Sequence, residues 1–286
     1  MGQKKKLEIK NISNLPSLPP VMKKLTKLLE NPETTAEKVG KVISTDLSLS
    51  SKVLKLVNSA FYGFPGKISS IDHSVVILGY STIKNVVLTA SILDTMKFKS
   101  YNQQENKYFR PEDFWKHSVA SGAAAQAISG FLSFRLKSDP FIMGLIHDLG
   151  KIVMFEYLYE EFNTILHKAQ EEGLTFFEAE NSIFESTHQE IGAGIIKEWN
   201  LPPSLRNAIL HHHDPDPEQP DYLDCALAHC SNIIVNAIRE DMNGNTRLAK
   251  IDHNAWKALG LDKVPMEKMI KAITKEIKKS ESILSL

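Results

Sequence analysis

Apolar positions recur three and four residues apart along most of the chain, the spacing that gathers them on one face of an α-helix. Val21-Met22, Leu25 and Leu28-Leu29 form such a face, led in by the extended segment Leu15-Pro16-Ser17-Leu18-Pro19-Pro20 and stopped by Asn31-Pro32. Thr35 is placed to cap a helix through Val39, Val42 and Ile43, and Asp46 to Val57 repeats the pattern. After the aromatic, glycine-containing loop Phe61-Tyr62-Gly63-Phe64-Pro65-Gly66, Ile71 to Leu78 ends at Gly79, a helix C-cap, and Thr82 to Met96 resumes. Beyond a polar linker at 102–107, helices are expected over about 111–130, 139–149, 152–171, 175–181, 188–198, 203–212 and 221–238. Met266, Met269-Ile270, Ile273 and Ile277 then give an amphipathic helix over 265–279, read as covering a core rather than a membrane. No longer strand pattern and no internal repeat occur, so the expected fold is all-α. Four parts are expected: a tail at 1–14, helical parts at 15–100 and 101–240, and a helical extension at 241–286.

The chain has 286 residues, 42% hydrophobic and 24% charged, enough to bury a sizeable core in one large or two moderate domains. Its 34 basic and 34 acidic side chains cancel, which argues against a chain that wraps nucleic acid. Lys4-Lys5-Lys6 is the one local basic run at the N-terminus and reads as a solvated tail. The most apolar stretch, Ser74 to Leu93, is interrupted by Lys84 and Asn85, so no membrane span is expected. The N-terminus lacks a secretory apolar core, and Cys225 and Cys230 are too few for a disulfide scaffold. Those features point to a cytoplasmic protein.

Ten histidines carry more information, because several lie beside acids. In Gly144-Leu145-Ile146-His147-Asp148-Leu149-Gly150-Lys151 the adjacent His147 and Asp148 point about 100° apart on a helix. Both reach one ion only near an end or bend, which Gly150 is expected to supply. Imidazole nitrogen and carboxylate oxygen together suit Fe, Mn, Ni or Zn. Asp113 and His117 stack at i and i+4 on a helix opened by Pro111, and His188, the run His211-His212-His213 and His229 follow on separate segments. Each has a plainer reading. Asp113 also favours the positive end of its helix, and single histidines serve as core or surface residues. Lys151 either steadies a phosphate or is a solvated lysine countering the negative end of its helix.

These strings resemble the HD superfamily of metal-dependent phosphohydrolases, and more closely its HDOD branch, the HD-related output domains of bacterial signalling proteins. The resemblance starts at Leu15-Pro16-Ser17-Leu18-Pro19-Pro20 and runs through Val42 to Leu54, Val57-Asn58-Ser59-Ala60-Phe61-Tyr62-Gly63, Ile71 to Gly79 and Phe114-Trp115-Lys116-His117-Ser118. It then takes in His147 to Lys151 and continues to about residue 240. It implies an HD-like helical bundle with an N-terminal helical subdomain. His117 resembles the first histidine of HD proteins, and His147-Asp148 the defining doublet. His229 stands where the closing aspartate falls, a departure that counts against hydrolysis. Asp113, His188, His212 and His213 resemble the extra ligands of two-metal members, including the HD-GYP cyclic-dinucleotide phosphodiesterases. Their Gly-Tyr-Pro loop is replaced here by Asp214-Pro215-Asp216-Pro217-Glu218.

The expectation is a regulatory module that signals through protein contacts with partners the sequence does not name, and holds one or two divalent first-row metals per chain. The aromatic loop Phe61–Phe64 is a partner contact or a plug between the two halves. The alternative is an active phosphohydrolase on a nucleotide or cyclic dinucleotide, with Asp148 and Lys151 as its catalytic residues. Direct nucleic-acid binding ranks last.

Overall fold

The computed structural model describes residue 4 and residues 17–95, 108–238 and 247–284. Most of the expected tail, the first residues of the proline-rich lead-in, Met96 and the linker at 102–107 lie outside these. Every regular element among the described residues is helical. They divide into two compact units: one drawn from 98–278, the other from 16–97 and 279–284.

In the second unit, α1 (Pro20–Leu29), α2 (Ala36–Ser44) and α3 (Leu47–Val57) all pack on α4 (Ile71–Thr95). Thr35 and Asp46 cap α2 and α3, accepting from the amides of Lys38 and Leu49 at 3.3 and 3.0 Å. A Cβ on Gly40 would overlap the Asp72 carboxylate, so this glycine sets how closely α2 meets α4. Within α4 the backbone leaves the helix at Gly79 (φ 76, ψ 166), conformations open to glycine. The Asn58 side chain closes the loop after α3, bonding both the carbonyl and the amide of Ile68 at 2.8 Å. Phe61, Tyr62 and Phe64 on that loop are half-exposed.

The first unit contains α5 (Pro111–Ser129), α6 (Pro140–Ile146), α7 (Leu149–Tyr157), α8 (Tyr159–Glu172) and α9 (Phe176–Ile183). It continues with α10 (His188–Glu198), α11 (Pro203–Leu210), α12 (Tyr222–Ile238), α13 (His253–Ala258) and most of α14 (Met266–Ser280). Helix α5 is buried on nearly all sides, which its run of small residues Ser118 to Ala125 permits, and it packs on α6 and α12. A Cβ on Gly144 would overlap the backbone of Ser121, and one on Gly122 would lie 2.7 Å from the Phe141 carbonyl oxygen. Thus α5 and α6 touch backbone to backbone.

Two boundaries differ from the sequence reading. The turn at the doublet comes at His147-Asp148 itself, and Gly150 lies inside α7. That glycine serves proximity instead: a Cβ there would overlap the His188 carbonyl, so α7 and α10 cross in near backbone contact. The helix expected over 152–171 is two, broken at Leu158 (φ −133, ψ 48).

Candidate metal centre

Four segments of the first unit deliver the site. His117 comes from the second turn of α5, His147 and Asp148 from the turn between α6 and α7, His188 from the first residue of α10, and His212-His213 from just beyond α11. Asp148 is buried at the centre and presents its two oxygens to different histidines. Oδ2 lies 3.3 Å from His147 Nε2 and 3.9 Å from His117 Nε2. Oδ1 lies 3.3 Å from His188 Nε2 and 3.4 Å from His212 Nε2. His213 Nε2 stands 3.2 Å from His188 Nε2, with its ring stacked on Phe177 at 4.3 Å. The result is two potential ligand groups sharing one aspartate: His117, His147 and Asp148, and Asp148, His188, His212 and His213.

Hydrogen bonding on the far side of the rings fixes what they offer. Nδ1 of His147 lies 2.8 Å from the Gly144 carbonyl oxygen, and Nδ1 of His212 lies 2.7 Å from that of Ile209. A carbonyl only accepts, so in the neutral form of both rings Nδ1 carries the proton and Nε2 the lone pair. His188 Nδ1 lies 2.7 Å from Glu180 Oε2, and Glu180 Oε1 accepts the His188 amide at 2.7 Å. In their neutral forms these rings aim bare nitrogens at each other and at a carboxylate, an arrangement of acceptors that a cation completes. Carboxylate–histidine pairs of the Glu180–His188 kind orient metal ligands elsewhere. The donor set and its geometry fit a divalent first-row metal.

The titration behaviour agrees. Burial pushes His212 down to about 3, and burial likewise holds His213 well below the usual histidine range, so both are neutral near pH 7. Burial also opposes a charge on His188, but Glu180 and Asp148 outweigh it and raise that group. Asp148 is held well below the carboxylate range: burial opposes ionisation, and the charge of Lys151 together with hydrogen bonds from His147 and His188 prevails.

Lys151 is buried, not solvated. Its Nζ lies 2.8 Å from Asp148 Oδ2 and 5.1 Å from the centroid of the Phe176 ring. Behind the site Phe109, Phe162 and Phe176 form an aromatic wall, with centroids 4.9 and 5.3 Å apart, that ends against His188.

Two expected ligands are not brought to the cluster. Asp113 pairs with Arg110 and with Lys116, the latter at 3.0 Å, because its neighbours at i−3 and i+3 are both cations. His229 has both nitrogens engaged elsewhere: Nδ1 with the His212 carbonyl at 2.9 Å, and Nε2 accepting the Asp252 amide at 2.9 Å. It braces the chain that carries His212 instead of facing the cluster. Glu180 escaped the sequence reading. Its signal is a carboxylate one turn from Phe176 and next to Ala179 on the buried face of α9. Cys225 and Cys230 are buried free thiols pushed up to about 12 by burial, hence inert.

A cavity of about 530 Å³ adjoins the site at His213 and is lined also by Phe177, His229, Asn232, Asn236, Arg247 and Lys250. Asn236 donates to Asn232 at 3.0 Å, and Arg247 pairs with Glu178 on the cavity wall.

An all-helical domain centred on a buried His-Asp doublet, with further histidines converging on the same aspartate, is a protein of the HD class. The HDOD domain family matches residues 15–215, and the chain belongs to that family. Among solved structures, it resembles an HDOD domain protein of unknown function from Geobacter sulfurreducens, with 22% identity and a TM-score of 0.74 over 96% of this chain and 95% of that one. It also resembles a protein from Shewanella amazonensis SB2B provisionally named a metal-dependent phosphohydrolase, with 20% identity and a TM-score of 0.65 over 95% and 92% of the two chains. These likenesses establish the fold. An uncharacterized protein of Treponema pallidum (strain Nichols) is 26% identical over 205 residues, 71% of this chain, which spans only 38% of that relative's length.

Proposed function

We propose that this protein is an HDOD-type regulatory module of bacterial signalling that acts in the cytoplasm through protein contacts and holds a divalent metal in the Asp148 cluster. The observation that carries the metal is the convergence of His188, His212, His147 and His117 Nε2 atoms on the two oxygens of one buried aspartate. The observation that favours regulation over turnover is His229. At the place of the closing carboxylate it is an imidazole bonded to backbone on both sides.

In this reading the chain's own groups do structural work. Asp148 and the histidines tie α5, the α6–α7 turn, α10 and the segment after α11 to one point, Glu180 orients His188, and Lys151 balances Asp148. The half-exposed loop Phe61–Phe64, clamped by Asn58, is the contact surface we assign to a partner.

The second reading, a phosphohydrolase on a nucleotide or cyclic dinucleotide, draws on the cavity beside His213 and on the provisional name of the Shewanella relative. A bound divalent cation would supply Lewis acidity and an activated water there. Incubation of Mn²⁺- or Fe²⁺-loaded protein with a cyclic dinucleotide and with bis(p-nitrophenyl) phosphate separates the two. Regulation predicts no product above a metal-only control. Turnover that disappears in Asp148→Ala supports hydrolysis.

A further inference from the structure

We infer that the cluster takes a single metal ion, in the half formed by Asp148 Oδ1, His188, His212 and His213, and that the Lys151 ammonium fills the role of a second cation on the Oδ2 half. The inference rests on the metal reading above and adds where the ion goes and why there is one.

The two halves are unequal. Around Oδ1 stand three imidazoles, and one of them, His188, is backed by the Glu180 carboxylate at 2.7 Å. Around Oδ2 stand two imidazoles, with no second carboxylate in the group, and the oxygen already receives Lys151 Nζ at 2.8 Å. That ammonium is not a surface charge that drifts off when an ion arrives. Its side chain is 3% exposed, it is anchored one turn from Asp148 on α7, and its Nζ lies against the Phe176 ring.

Charge gives the same answer. Asp148 and Glu180 contribute two negative charges and Lys151 one positive, so with the imidazoles neutral, as metal ligation requires, the protein groups sum to −1. One divalent ion brings the buried cluster to +1, and a second would bring it to +3. Excess charge in a water-poor interior is strongly disfavoured, because neither solvent nor a counter-charge offsets it. Without the lysine charge the protein groups sum to −2 and Asp148 Oδ2 is open, so two ions bring the cluster to +2 where the wild type would reach +3. A lysine held against the bridging carboxylate thus acts as a tethered cation that excludes the second metal.

The test is metal stoichiometry by elemental analysis of the full chain, purified untagged, stripped with chelator, reloaded separately with Mn²⁺, Fe²⁺ or Zn²⁺ and desalted. The wild type is expected to hold one ion per chain, with the six-line electron paramagnetic resonance signal of isolated Mn²⁺. Lys151→Met is expected to hold two, with the broadened signal of coupled manganese. His117→Ala, in the Oδ2 half, is expected to keep its one ion, and His188→Ala to lose it. Those two variants decide the location even if Lys151→Met fails to fold. Two ions in the wild type overturn this inference while leaving the metal reading intact. Loss of the ion in His117→Ala with retention in His188→Ala, or a single ion in folded Lys151→Met, also overturns it. No ion with any of the three metals overturns the metal reading itself.

Discussion

At Asp148 a carboxylate and an ammonium share a dry environment, and each depends on the other. Asp148→Ala leaves Lys151 buried without its partner, a loss that costs about 3–5 kcal/mol when a buried ion pair is broken from one side. Urea denaturation of the chelator-treated variant against wild type should show a drop of that order, and reloading with metal should not restore it. The histidines set the pH response of the metal-free protein. His212 has an ordinary value of 6.5 and a folded value of about 3, so between these the unfolded chain binds a proton that the folded chain refuses. Stability is therefore present above 6.5 and declines as pH falls through that window. His213 and His229, both lowered by burial, act in the same sense, while the raised His188 opposes them. The denaturation midpoint is expected to fall from about pH 7.5 to about pH 5. A midpoint that rises over that range would contradict the assignment of neutral, buried imidazoles. His117, the doublet, His188, His212 and His213 are legible in the sequence because short polar strings stand in apolar helices. Asp113 and His229 lie apart from the cluster for a physical reason: spacing tells which residues share a face, not which partner each finds there.

Among the elements, the crossing of α7 and α10 places the doublet beside His188, and it depends on hydrogen as the side chain of Gly150. Gly150→Ala must push the His188 carbonyl away, moving the very residue whose ring faces Asp148 Oδ1. Destabilisation of about 1–3 kcal/mol, the usual range for overpacking, is expected together with weakened metal retention. Gly173→Ala is a useful comparison. Its positive φ strains the backbone, but a Cβ there meets no neighbour within 4 Å, so it should spare metal binding. Gly150 also shows where helical periodicity stops informing. A glycine near a helix boundary reads as a terminator, whereas here it answers to a helix that arrives 38 residues later in the chain. Leu158 is the converse, since the apolar pattern runs unbroken across 152–171 and carries no mark of the turn between α7 and α8.

For the molecule as a whole, the site is a staple across distant sequence: residues 117, 147–148, 188 and 212–213 meet at one carboxylate. Chelation is accordingly expected to lower the melting temperature and to speed amide exchange in 111–157 and 188–213. Unchanged melting and exchange on stripping a demonstrably loaded sample would show that packing alone holds these helices. The all-α class is open to sequence reasoning because helices such as α1, α2 and α14 carry a clear 3.6-residue stripe and no strand pattern competes with them. The site's supporting shell is not, since Glu180 and the phenylalanine wall acquire meaning only once α9 lies beside α10. In the other unit, α4 is by length and composition the one described helix apolar enough to cross a membrane, with about half of it buried. Gly79 changes that arithmetic. The longer uninterrupted piece, 80–95, rises about 1.5 Å per residue over sixteen residues. At about 24 Å it falls short of the roughly 30 Å of hydrocarbon in a bilayer. One glycine turns a segment with the composition of a membrane anchor into two struts, neither long enough to span.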